Sequence, residues 1–329
     1  MQSNNRRPTI ADIADALGYS RNTVSRALNG HSGLTSATRS RILAKARELN
    51  YKSMGDTTQK APSQIKKDIL LICNDGQLHD NAFFFTLIQA LLTEIRSHQA
   101  TPIVQFVSLQ DIEKEHIAQT AQKVAGIIAL DTLNPAYISQ LLSLGRPTVF
   151  YDYYHQYDLI DRPCDVVISD ALPLRQIIRR MYDHGARSFG FVGIPEHCIG
   201  FQQRYITFNE TLRELGVSSD GLFNLRFPED VGTRPLADAY ICANDYIALP
   251  LLQHLRRLGK QIPGDVQVCG FDGINHGLHS QPQLTTVSVS PESLAANLAL
   301  MLFDRIEHPS RGRRLITQDC QITYRDSTK

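Results

Sequence analysis

Three polar side chains near the start of the chain, Arg21, Asn22 and Arg26, have the chemistry needed to read DNA bases. Arginine can donate two hydrogen bonds to O6 and N7 of guanine, and asparagine pairs in the same two-point way with N6 and N7 of adenine. Their spacing places them on one face of a helix, close to its first turn. We predict that they contact base edges in the major groove.

Short hydroxyl and amide side chains surround these three residues, near the starts of predicted helices. Such groups suit hydrogen bonds to phosphate oxygens, which fix the position of a protein on the duplex without reading its sequence. The predicted phosphate contacts are Thr9, Ser20, Thr23, Ser25, Asn29 and Thr35. A small solvated helical bundle with no ligand is the alternative interpretation of this segment.

Three short helices are predicted to position these side chains. Thr9 is a good cap for the first helix, which Gly18 ends. Ser20 caps the second helix, and Thr35 or Ser36 caps the third. A short helix, a tight turn and a second helix form the geometry that enters the major groove.

The charge distribution separates this segment from the rest of the chain. Residues 1–67 hold 12 Lys and Arg against 4 Asp and Glu, a net charge of +8. Because the 329-residue chain carries only +1, residues 68–329 carry −7. This asymmetry is typical of a DNA-binding head attached to a body that does not bind DNA.

Composition and length indicate a globular protein of two or three domains. No apolar run approaches the ~18 residues of a membrane span, and the opening residues lack the apolar core of a signal peptide. The six cysteines form no CxxC pair and are expected to be buried free thiols. We expect a cytoplasmic protein with no membrane contact, metal or cofactor.

Residues 68–329 alternate between strand-like and helix-like segments in two successive series. This alternation predicts an α/β body with parallel sheets and helices on both faces. Two such units suggest two lobes with a ligand between them, at the carboxyl ends of the strands. The preceding residues 52–67 are polar, contain Gly55 and Pro62, and are predicted to be a linker.

Polar residues at the predicted strand ends and helix starts suit recognition of a polyhydroxyl compound. Carboxylates, an amide and an arginine supply acceptors and donors for hydroxyl groups, and a ring supplies a flat apolar face. The predicted effector-binding residues are Asp152, Arg204, Phe208, Phe227, Asn244 and Asp272.

Each of these residues also has a structural interpretation. An aspartate at a strand end often caps the next helix. Arg204 fits a surface ion pair, and the helical spacing of Phe208 favours a place in the core. For catalysis, the sequence contains no GxxxxGK[ST] loop and no HExxH. His197 and Cys198 lack a matched third partner, so we do not predict an enzyme.

Residues 8–51 resemble the DNA-binding head of the LacI/GalR family of bacterial regulators, in TIADIADALGYSRNTVSRALNG followed by TRSRILAKARELNY. The similarity extends through PTVFYD and RYITF to the Asn-Asp, Pro-x-Asp, Gly-Phe-Asp and Leu-Thr-Thr-Val elements of residues 239–289. It therefore covers most of the chain. In the family, the positions of Asp152, Arg204, Asn244 and Asp272 line the effector cleft.

The resemblance implies a three-helix helix-turn-helix head at residues 1–51 and a two-lobed body like a periplasmic binding protein at residues 68–329. Lobe one is expected at about 68–156 and 290–318, and lobe two at about 157–289 and 319–329. It also implies a homodimeric repressor on a pseudo-palindromic operator, controlled by a small carbohydrate.

Two departures from the family pattern affect these expectations. The linker has a glycine and no leucine after Tyr51, so a hinge helix that wedges into the minor groove is doubtful. Only 27 residues separate Gly216 from Asn244, too few for the family's strand, helix and strand. A regulator whose cleft has lost its small-molecule response, or a ligand-binding body with a vestigial head, remain alternative functions.

Overall fold

Two compact units, residues 1–65 and 66–329, make up the computed structural model of the chain. It describes residues 9–28, 35–49, 67–74, 82–108, 110–111, 119–130, 134–153, 164–217, 222–232 and 235–329. Apart from Lys67, the predicted linker at 52–67 lies outside the described residues, as does Asn29.

The first unit is a bundle of three helices, α1 (Ile10–Leu17), α2 (Arg21–Leu28) and α3 (Ser36–Glu48). Thr9 and Asp12 form a reciprocal capping box at the start of α1, and Gly18 ends it at a φ of 69°. This left-handed conformation favours glycine. The buried core confirms the predicted helix pattern and consists of Ile13, Ala14, Val24, Ala27, Ile42 and Ala46.

Lobe one of the body is built on six parallel strands. They are β1 (Asp68–Asn74), β2 (Thr101–Val107), β3 (Gly126–Leu130), β4 (Thr148–Tyr151), β5 (Cys164–Ser169) and β11 (Leu315–Gln318). Their order is β2-β1-β3-β4-β5-β11. The flanking helices are α4 (Ala82–Ser97), α5 (Pro135–Ser143) and α10 (Pro291–Glu307). The late helix α10 packs on α4, so the end of the chain returns to lobe one.

Lobe two is built on β6 (Phe189–Val192), β7 (Leu222–Leu225), β8 (Ala239–Cys242), β9 (Gln267–Asp272), β10 (Thr285–Val289) and β12 (Cys320–Thr323). Their order is β7-β6-β8-β9-β10-β12. The helices of this lobe are α6 (Pro173–Asp183), α7 (Ile199–Glu214), α8 (Asp245–Arg257) and the short α9 (His276–His279).

One strand of lobe two breaks the predicted parallel pattern, because β12 runs antiparallel to β10. Only Asp319 separates β11 in lobe one from β12 in lobe two. With so short a connection, β12 starts at the edge of the sheet where the other strands of lobe two end, so it must run opposite to them. A parallel strand would need a long crossover connection. The chain also crosses between the lobes after β5 and after β10.

The predicted start of lobe two at residue 157 is wrong, because β5 pairs with β4 and β11 in the sheet of lobe one. The buried carboxylate of Asp165 fixes this placement. It accepts hydrogen bonds from Arg305 Nε and Nη2 at 2.8 and 2.6 Å, and from Arg314 N and Nη2 at 2.8 and 2.7 Å. Strand β5 is thereby tied to α10 and to the segment that precedes β11.

The short connection in lobe two folds without an α-helix in the parts that the structure describes between Leu225 and Ala239. A 3₁₀ turn at Pro228–Asp230 takes that place, and α8 packs on it. His254 Nε2 lies 2.7 Å from the Val231 carbonyl oxygen. In lobe one, a second 3₁₀ turn at Gln119–Gln122 precedes β3.

None of the helices that the structure describes is long and apolar enough to cross a membrane. The same residues contain no group of three or more side chains that could hold a metal ion. All six cysteines are buried and free, as predicted.

Candidate DNA-reading helix and interlobe pocket

Helix α2 presents the predicted base readers to solvent. Arg21, Asn22 and Arg26 are exposed, whereas Val24 and Ala27 on the opposite side are buried in the three-helix core. The core thus fixes the rotation of α2 about its axis. The arrangement leaves one guanidinium–amide surface near the helix start, suited to base edges.

Three of the predicted phosphate contacts, Thr9, Ser20 and Thr35, cap the starts of helices. Ser20 Oγ accepts from the backbone N–H of Thr23 at 3.1 Å, and Thr35 Oγ1 accepts from that of Thr38 at 3.2 Å. Thr35 is therefore the cap of α3. The Thr9 hydroxyl donates to Asp12 within its capping box, and Ser25 is half-buried on α2.

In the body, the side chains between the two lobes surround a small pocket, the interlobe pocket. Lobe one contributes Phe83, Phe84, Tyr151 and Asp152, and lobe two contributes His197, Cys198, Phe201, Arg204, Asn244 and Asp272. Four predicted effector residues therefore come together here. The cavity volume of about 60 Å³ is room for only a few water molecules.

Two predicted effector residues do not reach the interlobe pocket. Phe208 is 0% exposed in the core of lobe two, where its ring lies 5.7 Å from that of Phe191. Phe227 is 53% exposed beside the 3₁₀ turn after β7. The rings that do line the pocket, Phe83, Phe84, Tyr151 and Phe201, were not predicted. The sequence could have predicted Phe201, because it lies three residues before Arg204 and so shares its face of the helix.

Arg204 is the central cation of the interlobe pocket and is only 3% exposed. Its Nη1 donates to the Ala243 carbonyl oxygen at 2.5 Å, and its guanidinium lies 3.6 Å from the centre of the Phe271 ring. Its Nη2 is 3.6 Å from Asp272 Oδ1, too far for a hydrogen bond. The buried Nε has no acceptor within the described structure. The donors of this side chain are thus only partly used.

Asp272 ends β9 in a left-handed conformation, at a φ of 109°. It is 8% exposed, and none of the described residues donates a hydrogen bond to its carboxylate. Burial raises the pKa of Asp272 to about 7, while Arg204 acts to lower it. The carboxylate is therefore an open acceptor beside the Arg204 guanidinium.

Asp152 caps a helix of the opposite lobe. Its Oδ1 accepts from the backbone N–H of Gly200 at 2.9 Å and of Tyr153 at 3.0 Å. Its Oδ2 accepts from Cys198 Sγ at 3.1 Å. A Cβ on Gly200 would lie 2.4 Å from Oδ2, so any other residue there would displace this carboxylate. A carboxylate at the start of α7 is favourable because the helix exposes N–H groups there.

Two further hydrogen bonds join the lobes beside the interlobe pocket. The Ile199 N–H donates to the Tyr153 carbonyl oxygen at 2.9 Å. The Ala82 N–H at the start of α4 donates to the Tyr246 hydroxyl on α8. Together with Asp152, these bonds hold the lobes in a closed arrangement.

Asn244 and Asp245 build the lobe-two side of the pocket. Asn244 Oδ1 caps α8 by accepting from the Ile247 N–H at 3.0 Å, and no described residue accepts from its Nδ2. The fully buried Asp245 accepts from the N–H groups of Gly273 and Ile274 at 2.9 Å, and from Thr286 Oγ1 at 2.7 Å. Burial raises the pKa of Asp245 to about 6, although these bonds oppose the shift. Asp245 thus positions the turn that carries Asp272.

Two family models match the chain, one for each unit. Residues 9–53 match the model described as bacterial regulatory proteins, lacI family. Residues 178–328 match the periplasmic binding protein-like domain. The chain belongs to the LacI/GalR family. Its LacI/GalR relatives include the regulator GalR of Lacticaseibacillus casei, 27% identical over 97% of this chain and 99% of the relative. The repressor CytR of Escherichia coli K12 is 24% identical over 98% and 96%.

Solved LacI/GalR structures share the fold. The regulator CelR in complex with cellobiose has a TM-score of 0.69 at 22% identity, covering 98% of this chain and 100% of that one. The lac repressor dimer bound to operator and the anti-inducer ONPF has a TM-score of 0.67 at 20% identity, covering 98% and 99%. GalR and CytR, the relatives named above, are a regulator and a repressor of transcription.

Proposed function

We propose that the protein is a sequence-specific repressor of transcription, controlled by a small ligand bound in the interlobe pocket. One observation supports the DNA-binding part: Arg21, Asn22 and Arg26 are exposed on α2. The buried side of this helix fixes the direction in which they point. In this proposal Arg21 and Arg26 bind guanine and Asn22 binds adenine. The capping residues at the helix starts hold the backbone near phosphates.

Two copies act together in this proposal. One α2 reads only a few base pairs, whereas a two-fold symmetric dimer reads two half-sites about one helical turn apart. The lac repressor, which shares the fold, was solved as a dimer on its operator. We therefore expect a homodimer on a pseudo-palindromic operator, working in the cytoplasm.

The ligand's role follows from the open hydrogen-bonding positions of the interlobe pocket. Arg204, Asn244 and Asp272 all face a space that a ligand could fill, and both lobes line it. A ligand that binds one lobe arrangement more tightly shifts the protein toward that arrangement. Related proteins have been solved with cellobiose and with ribose, which supports a carbohydrate effector.

Binding of the full-length protein to its own upstream DNA tests the DNA-binding part. We expect specific binding whose affinity falls steeply between two salt concentrations. Arg26→Ala should lose roughly 1–3 kcal/mol of discrimination between operator and scrambled DNA, with an unchanged melting temperature. Arg257→Ala, which removes an exposed charge from the body, is the control. Retained sequence preference in Arg26→Ala would contradict the assignment of base readers.

A second candidate is a regulator whose pocket no longer responds to small molecules. The cavity of about 60 Å³ and the hydrogen bonds between the lobes favour it. Adding mono- and disaccharides to the same binding assay separates the two. Release from the operator by one sugar supports the ligand-controlled repressor, and operator binding that no compound alters supports the second candidate.

A further inference from the structure

The two walls of the interlobe pocket differ in polarity. On the lobe-one side three rings pack together, with Phe83 and Phe84 5.6 Å apart and Tyr151 within 6.3 Å of each. The Tyr151 hydroxyl is already paired with Ser169 Oγ at 2.9 Å. The Asp152 carboxylate already accepts three hydrogen bonds, of about four that it can take. The described part of this wall is therefore mainly apolar toward a ligand.

The lobe-two wall keeps its hydrogen-bonding capacity. Arg204 Nε is a buried donor without an acceptor in the described structure. Asn244 Nδ2 is available because only the Oδ1 of this residue caps α8. The Asp272 carboxylate, more than nine-tenths buried, receives no hydrogen bond from the described residues. Arg204, Asn244 and Asp272 all line this side of the pocket, and such buried polar groups favour a ligand that pairs with them.

The pocket is also small. Phe83 and Phe84 close it from lobe one and Phe201 from lobe two, which leaves about 60 Å³. A single ring could enter with a modest separation of the lobes. A second ring joined to it would have to displace at least one of these phenylalanines, two of which belong to the buried core.

We propose that the effector is a single-ring compound, polar along one edge and apolar along the opposite edge. This inference rests on the proposed ligand control of the interlobe pocket. The polar edge pairs with Arg204, Asn244 and Asp272, and the apolar edge lies against Phe83, Phe84 and Tyr151. A sugar with hydroxyls on every side fits poorly, because the hydroxyl facing the rings would lose its hydrogen bonds to water.

Two chemical sources have this shape. A 6-deoxyhexose carries a methyl group where the parent hexose carries a hydroxymethyl group. A pyrimidine base has hydrogen-bonding groups on one edge and C–H groups on the other. Both present a polar edge and an apolar edge on one ring, and a direct comparison distinguishes them.

Titration calorimetry on the full-length protein tests the proposal with matched ligand pairs. The probes are D-fucose against D-galactose, L-rhamnose against L-mannose, cytosine and uracil, and cellobiose. We expect one 6-deoxyhexose to bind roughly tenfold or more tightly than its parent, or a pyrimidine to bind more tightly than every sugar.

Three results would overturn the proposal: tightest binding of cellobiose, equal binding within both sugar pairs with no pyrimidine binding, or no binding of any probe. If the same preparation still binds its operator specifically, only the proposed ligand class is contradicted, and the proposed DNA-binding function is not. Loss of operator binding would instead contradict the proposed function.

Phe84→Tyr tests the apolar wall, because it adds one hydroxyl beside the ring edge of the ligand. We expect the preference for the deoxy sugar over its parent, or for the pyrimidine over the sugars, to fall severalfold. Phe85→Tyr is the matched control, since Phe85 is the next residue on α4 but is 58% exposed and lies outside the pocket lining. An equal effect of the two substitutions would contradict the assignment of this wall.

Asn244→Asp tests the polar edge. Aspartate caps a helix as well as asparagine does, so α8 keeps its start, but the Nδ2 donor is replaced by an acceptor beside Asp272. We expect ligand affinity to fall at least tenfold with little change in melting temperature. Unchanged affinity in a folded variant would remove Asn244 from the recognition edge.

Discussion

Each lobe buries an aspartate beside arginine, but the two carboxylates have opposite surroundings. In lobe one, Asp165 accepts four hydrogen bonds from Arg305 and Arg314. Burial alone would raise the pKa of Asp165, but these bonds hold it below its ordinary value. In lobe two, Asp272 has one arginine at 3.6 Å, and its pKa lies far above its ordinary value. A saturated carboxylate holds a fold together, whereas an unsaturated one is available to bind a ligand.

Removing the saturated carboxylate, Asp165, should have the largest effect on the free energy of unfolding. Asp165→Ala leaves Arg305 buried without its counter-charge, and we expect the free energy of unfolding to fall by about 3–5 kcal/mol. Urea denaturation measures the loss. Glu307→Ala, at an exposed position on the same α10, is the control and should change little. A loss below 1 kcal/mol would mean that the Asp165 network does not hold lobe one together.

Asp245 provides an intermediate case, buried in lobe two but saturated by neutral donors. Asp245→Ala leaves the N–H groups of Gly273 and Ile274 unpaired, so we expect a loss of about 2–3 kcal/mol in the free energy of unfolding. Asp245→Asn keeps one acceptor oxygen and should lose less. Both variants should bind the effector more weakly, because the turn at Asp272 is no longer held. Equal stability of all three proteins would contradict this positioning role.

The effect expected for Asp272 is spread over a range of pH, and for each pH unit crossed it is the smallest of the three. Its pKa rises from 3.8 to about 7 on folding, so the folded protein binds this proton more tightly than the unfolded chain. Stability from this group therefore falls as pH rises from about 4 to about 7. Asp272→Asn cannot titrate, and we expect its stability relative to the wild type to rise by roughly 1 kcal/mol for each pH unit between pH 4 and pH 7. If the stabilities of the two proteins change equally with pH across this range, the Asp272 carboxylate is already paired in the folded protein.

The three-helix unit could be predicted from the sequence because its determinants are local. Thr9 and Gly18 mark the ends of α1 through bonds and angles set by nearby residues. The assignment of β5 to the wrong lobe shows where this fails. That strand is placed by Asp165, whose partners Arg305 and Arg314 lie about 140 and 149 positions away. No local pattern contains such a pairing.

The pocket was predictable in its polar residues but not in its rings. Asp152, Asn244 and Asp272 follow strands, and strand ends meet at the cleft. Phe208 was assigned to the pocket wrongly because α7 begins at the cleft, where Asp152 caps it. Each residue adds about 1.5 Å along the helix axis. Phe208 therefore lies deep in lobe two, whereas Phe201 lies in the first turn, beside the pocket.

The return of α10 and β11 to lobe one has a consequence for a newly synthesised chain. Lobe one begins with β1 but is completed only by segments that follow nearly all of lobe two. The ribosome must therefore release most of the body before either sheet can close. The three-helix unit emerges first and needs none of these segments. A nascent chain thus folds the surface proposed to bind DNA well before it has the interlobe pocket.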